Sequence, residues 1–160
     1  MAGLTRWPGR SFPITLEALL LPARTHQTPL GNLLADIMAN NSQCDFCLIG
    51  SGSIRTNKLG PVVTIGNLME TIPFEDRFYR FEVAGELVRK IFNFILRPEN
   101  RNHDGECYQV NDGIQAIYED QNRELCSLKI KGEPVDPDKT YTLGIQGYHF
   151  LNCFPNLSVT

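Results

Sequence analysis

The alternation of short apolar runs with glycine and proline breaks limits what this chain can fold into more than any other feature. Thr28-Pro29 followed by LGNLLADIMANN reads as a helix start. Thr28 can cap the first turn, Pro29 fits within it, and Leu30, Leu33, Leu34 and Ile37 recur at helical spacing. Asn40-Asn41 is expected to end this helix. DFCLIG (45–50) reads as a short buried strand, closed by the glycine-rich turn IGSGSIRTNKLGP. A short helix is expected from about Thr64 to Thr71, before the break at Pro73, and RFYRFEV reads as a strand with imperfect alternation. ELVRKIFNFIL predicts a second amphipathic helix through Leu87, Val88, Ile91, Phe94 and Ile95, stopped by Pro98. YQVNDGIQAIYED and LCSLKI are expected to form a hairpin around Gln121-Asn122, GEPVDPDKT a turn, and YTLGIQGYHFL a last strand. Residues 1–15 read as an extended lead-in or an added start, with residues 16–160 as the domain proper. Helices interleaved with strand pairs predict an α+β fold with mixed sheets.

Composition narrows the function. A length of 160 residues indicates one domain, large enough to bury a core without covalent staples. The net charge of −3 and the lack of any basic run argue against a nucleic-acid polymer as partner. No stretch approaches the roughly eighteen apolar residues of a membrane span. Leu19-Leu20-Leu21, preceded by Glu17, is too short a run for a secretory leader. Five cysteines, at 44, 47, 107, 126 and 153, make an odd number, for which reduced thiols are the simpler reading.

Several motifs can be weighed from residue chemistry. In Cys44-x-x-Cys47 the second cysteine lies in an apolar strand (FCLI), and no second pair completes a zinc site, so buried structural thiols are expected. His26, His103 and His149 are scattered, and no D-x-H or N-H-[DE] pair occurs, which leaves metal-assisted hydrolysis without ligands in this chain. Asp136-Pro137-Asp138 reads as an ordinary turn. The Gly-Ser turn is the more informative element. Successive backbone N–H groups there can form an anion-binding concavity, to which Arg55 adds a planar fork; Arg24, just before a helix start, can converge on the same place. A plain surface turn remains the alternative.

The order of these segments is more specific than any one of them. Arg24-Thr-His-Gln-Thr-Pro-Leu-Gly-Asn32-Leu-Leu-Ala-Asp36 resembles the R-x-x-E-[ST]-N-L-G-N-L-x-A-D opening of the C-terminal domain of the 5'-nucleotidase family. That family includes 5'-nucleotidases, UDP-sugar hydrolases and 2',3'-cyclic-nucleotide phosphodiesterases. Cys47-Leu-Ile-Gly-Ser-Gly-Ser-Ile-Arg55 is similar to its N-G-G-x-[IF]-R turn, and Val63-Thr-Ile-Gly-Asn-Leu68 with Ile72-Pro73-Phe74 to I-T-x-x-[DN]-L…[LI]-P-F. Phe81-Glu-Val-Ala-Gly-Glu-Leu87, Tyr108-Gln-Val110 and Val135-Asp-Pro-Asp-Lys-Thr-Tyr141 follow in family order, so the likeness covers about residues 20–150.

The resemblance implies a four-layer α-β-β-α sandwich with helices packed outside, and a division of labour. An N-terminal metallophosphatase domain, outside this chain, holds two divalent metals and does the chemistry; this domain binds no cofactor and grips the nucleotide or a related small phosphoester. Carried over by position, Arg24 and Arg55 contact phosphate and ribose, Phe74 and Tyr148 sandwich the base, and Gly50 and Gly52 lie in the binding turn. The resemblance also implies a secreted, periplasmic or surface location, against which the cysteine count leaves the cytoplasm open. Three departures stand out. Gly50 replaces the asparagine that opens the arginine turn, and Gln27 replaces the glutamate of the first motif. The G-G-D-G segment after the second aromatic is absent, with His149-Phe-Leu-Asn152-Cys-Phe154 in its place. A binding module that kept the fold and lost nucleotide specificity is the alternative function.

Overall fold

The computed structural model describes residues 4–7, 25–57, 59–60, 62–102 and 106–153. Its central element is the run that reads as a buried strand, β2 (Phe46–Gly50), in which all five residues are buried. Phe46 and Leu48 face one core cluster, Cys47 and Ile49 another. A strand covered on both faces has no use for polar alternation, which explains the unbroken apolar run.

β2 lies within a four-stranded mixed sheet, in the order β3 (Phe78–Ala84), β8 (Thr140–Gln146), β2, β4 (Tyr108–Val110). β2 runs parallel to β8, while β3 and β4 are antiparallel to their neighbours. A second, antiparallel sheet has the order β1 (Leu4–Trp7), β5 (Ile114–Glu119), β6 (Glu124–Ile130), β7 (Glu133–Pro134). The chain is therefore α+β with one mixed and one antiparallel sheet, as its sequence predicts. Two details differ. Part of the expected lead-in is a strand, Leu4–Trp7, paired with Ala116–Glu119. The run YQVNDGIQAIYED is not one strand: it breaks at Asn111–Gly113, giving β4 to one sheet and β5 to the other. Gly113 at φ 83° permits the turn.

Helix α1 (Pro29–Ser42) covers the outer face of the mixed sheet. The Thr28 hydroxyl accepts from the Gly31 N–H at 3.0 Å, as a capping threonine should. Buried Gln109 reinforces the start: its carbonyl oxygen accepts from the Thr28 N–H (2.8 Å), and its amide donates to the His26 carbonyl (2.7 Å). The packed stripe is Leu30, Leu34, Ala35 and Ala39, whereas Leu33 and Ile37 of the expected stripe are 39% and 47% exposed. Small residues let α1 lie close to the sheet, and the wider pair turns outward.

Helix α2 (Ile65–Thr71) begins with a capping box in which Thr64 and Asn67 satisfy one another's backbone. Helix α3 (Gly85–Ile95) buries Val88, Ile91, Phe92 and Ile95 in the core shared by both sheets. Its first N–H groups donate to the Lys139 and Pro137 carbonyls rather than to a side-chain cap. The end of the expected last strand is instead a helix, α4 (Gly147–Cys153). Asp76 accounts for the change, because its carboxylate accepts from the Tyr148 N–H at 3.0 Å and turns the chain into a helical start.

Candidate functional site

The sheet order brings the predicted residues together at one end of the mixed sheet. β2 ends at Gly50 and leads into the Ser51–Ser53 3₁₀ turn and Arg55. β8 runs parallel to it and leads into Tyr148. The antiparallel neighbours enter at the same end, β3 preceded by Phe74 and Asp76, β4 by Glu106. Four strands thus deliver, in spatial order, Phe74 and Asp76, Tyr148, the Gly50–Arg55 turn, and Glu106. Convergence at the carboxyl ends of the parallel pair is the usual location for a ligand cleft.

Arg55 is held by its own backbone, whose N–H donates to the Thr71 carbonyl at 2.9 Å. Its guanidinium lies over the Phe74 ring, 4.9 Å from the centroid. This cation–π contact orients an exposed arginine while leaving its N–H groups for an anion. Phe74 is 45% and Tyr148 65% exposed, a large apolar area for rings with no structural need to be at the surface. The Tyr148 ring meets His149 edge-on at 5.2 Å. Arg24 lies outside the described residues. Its neighbour Gln27, at the family's glutamate position, is a structural tie: its amide bonds the Tyr108 carbonyl, the Val110 N–H and Asn32.

Gly50 and Gly52 serve different ends. Gly50 has φ −63° and ψ 134°, a conformation open to any residue, so its lack of a side chain answers to space. A Cβ there would stand 1.8 Å from His149 Nε2. His149 is 3% exposed and packs edge-on against Tyr108, with the Tyr108 hydroxyl 3.2 Å from its Nδ1. Burial pushes the His149 pKa below its ordinary value, against the opposing pull of the Glu106 and Asp76 carboxylates. Two departures seen separately in the sequence, Gly50 and the substituted segment at His149, are one steric fact: the imidazole fills the volume that a side chain at 50 would need.

Gly52 donates its N–H to Glu106 Oε1 at 2.8 Å, and the Ser51 hydroxyl donates to the same oxygen at 2.9 Å. Ser51 N–H is used by the Cys107 carbonyl and Gly50 N–H by Gln146. The concavity that sequence suggests for an external anion therefore holds one from the chain itself. Sequence reasoning missed Glu106 because nothing in the polar loop before β4 marks it. The β2–β4 pairing, Gly50 opposite Tyr108, is what carries it to the turn.

Three of the cysteines behave as core, and Cys126 is exposed. Cys44, Cys47 and Cys107 are buried free thiols; burial raises the pKa of all three, that of Cys107 to about 12. Among the described residues, no group of three His, Cys, Asp or Glu side chains comes together to hold a metal ion. No helix among them is long and apolar enough to cross a membrane.

The fold is that of an α+β domain with one mixed and one antiparallel sheet, and comparison with known proteins gives the family. The family model described as "5'-nucleotidase, C-terminal domain" matches residues 14–153, and the chain belongs to that family. It is 32% identical over 123 residues to Endonuclease YhcR of Bacillus subtilis, which covers 76% of this chain and 10% of that protein. It is 24% identical over 123 residues to Protein UshA of Escherichia coli, covering 77% of this chain and 22% of that protein. Among solved structures, the 5'-nucleotidase precursor of Thermus thermophilus superposes with a TM-score of 0.66 at 24% identity, over 86% of this chain and 29% of that one. The NAD nucleotidase of Haemophilus influenzae gives 0.60 at 18%, over 80% and 26%. At these identities the structures speak to the fold. The chain spans about a tenth to a quarter of the length of these curated relatives.

Proposed function

We propose that residues 16–160 form the nucleotide-gripping domain of a two-domain phosphoesterase whose catalytic chemistry resides in an N-terminal metallophosphatase domain. Arg55 takes the ligand's phosphate or ribose oxygens, and Phe74 and Tyr148 stack on the base. Because Arg55 occupies one face of Phe74, the base takes the other. The observation that carries this reading is the Arg55–Phe74 contact at 4.9 Å, beside a second exposed aromatic on the adjacent parallel strand end. Relatives named as a nucleotidase and an endonuclease both act on phosphoesters, which supports that substrate class. The two divalent metals belong, on this reading, to the catalytic domain, where they activate water. Val62, Val63, Ile65, Leu68 and Met69, an exposed apolar stretch leading to Phe74, support a neighbouring domain at this end.

A second reading has its own observation. His149 excludes a polar side chain from position 50, which favours a binding module that kept the fold and lost base-specific contacts. One experiment separates the two. Ligand-observed NMR with adenosine, AMP and a 2',3'-cyclic nucleotide detects binding to this chain. Retained binding that Arg55→Ala and Phe74→Ala each weaken supports the nucleotide reading, and no binding by any of the three refutes it. The isolated chain is expected to hydrolyse none of them.

A further inference from the structure

The carboxylate in the glycine turn determines which ligand charge this site accepts. Among the described residues, Glu106 is held through one oxygen: Oε1 accepts both the Gly52 N–H (2.8 Å) and the Ser51 hydroxyl (2.9 Å). Among the described residues, no lysine or arginine comes within ion-pair distance of it. Its side chain is half-buried at the end of the sheet where Arg55, Phe74 and Tyr148 emerge. Two donors that would otherwise greet a phosphate are thereby spent, and a carboxylate occupies the turn that leads to Arg55. A phosphate monoester bound by Arg55 brings two negative charges to the end of the sheet that already carries the Glu106 carboxylate, and like charges repel. A phosphodiester or cyclic phosphate, with a single charge, can be satisfied by Arg55 alone.

Resting on the nucleotide reading above, we propose that Glu106 is a specificity-determining residue that disfavours dianionic phosphate monoesters and directs the site to singly charged phosphodiesters. The chain acts as its own competitor: the turn keeps the geometry of an anion site but is already filled by a tethered anion, so a ligand's phosphate is turned toward Arg55.

The test is a charge series measured by calorimetry or NMR titration on this chain: adenosine (neutral), 2',3'-cyclic AMP (one charge) and AMP (two charges at pH 8). The wild-type protein is expected to bind the cyclic ester more tightly than AMP. Glu106→Gln keeps an oxygen for Ser51 and Gly52 and removes the charge. It should tighten AMP about three- to tenfold, tighten the cyclic ester less, and leave adenosine within twofold. Added salt should shrink the AMP gain. Wild-type protein that prefers AMP to the cyclic ester overturns the proposal without any variant. So does a Glu106→Gln effect equal for all three ligands, which marks a structural role. A loss for adenosine that 2'-deoxyadenosine does not share overturns it too, because Glu106 then reads hydroxyls. If no member of the series binds the wild-type chain, the nucleotide reading itself falls, and this inference with it.

Discussion

Gly50→Ala tests whether His149 dictates the residue at the head of the arginine turn. The added methyl carbon would lie 1.8 Å from Nε2 and 2.1 Å from Cε1 of His149, whereas ordinary contacts begin near about 3.5 Å. The ring must retreat by roughly 1.5 Å or more. Overpacking of this kind costs about 1–3 kcal/mol. Displacing the ring also breaks its hydrogen bond with the Tyr108 hydroxyl, worth about 1 kcal/mol. A total of about 2–4 kcal/mol is expected, seen as a fall in Tm of roughly 5–10 °C or a matching shift in the urea midpoint. His149→Ala alone leaves a cavity and costs about 1–3 kcal/mol. In the double variant the new methyl group occupies vacated space, so Gly50→Ala on the His149→Ala background should cost under about 1 kcal/mol. The coupling energy is then about 2 kcal/mol, well outside the additivity of unrelated sites. Additive single effects, or a Gly50→Ala penalty below about 1 kcal/mol, refute the reasoning.

Arg55→Ala is expected to weaken nucleotide binding about tenfold, and Arg55→Lys to restore only part of it, since lysine gives a point charge in place of the stacked fork; isothermal titration reads both. Phe74→Leu should weaken AMP and adenosine alike, whereas Arg55→Ala should weaken AMP more, and the opposite pattern refutes the assigned roles. Burial holds the folded-state pKa of His149 below its ordinary 6.5, so the unfolded chain binds the extra proton and stability falls as pH drops from about 7 through that window; His149→Gln should flatten the Tm profile between pH 7.5 and 5. With Ellman's reagent, exposed Cys126 should react at once, and Cys47 and Cys107 only as the protein unfolds; immediate labelling of Cys47 contradicts its place in the core.

What the sequence revealed followed the range of the interactions. The start of α1 was legible because Thr28, Pro29 and the Gly31 N–H lie within a few residues of one another. The side of α1 that packs was not, because Leu33 and Ile37 fit the helical period as well as Ala35 and Ala39 do, and only the proximity of β2 selects the smaller residues. The run ending GYHFL looks like a strand until Asp76, far away in sequence, caps it as a helix. Arg55, Phe74 and Tyr148 were singled out through the order of motifs, and the sheet brings them to one end. Arg24 lies outside the described residues. Glu106 escaped notice since its role exists only once β4 is paired with β2.

The order of the mixed sheet also bears on how this domain is made. β8 is the last strand among the described residues yet sits between β3 and β2, with Phe46–Leu48 on one side and Phe78–Ala84 on the other. Until it emerges from the ribosome, β2 and β3 have no strand between them to pair with. The arginine turn and Phe74 are synthesised early and touch one another directly, but Tyr148 joins them only when Thr140–Gln146 is inserted. Insertion of β8, rather than local folding, is the step that completes this end of the sheet, and a chain that lacks β8 presents two unpaired sheet edges to whatever is nearby.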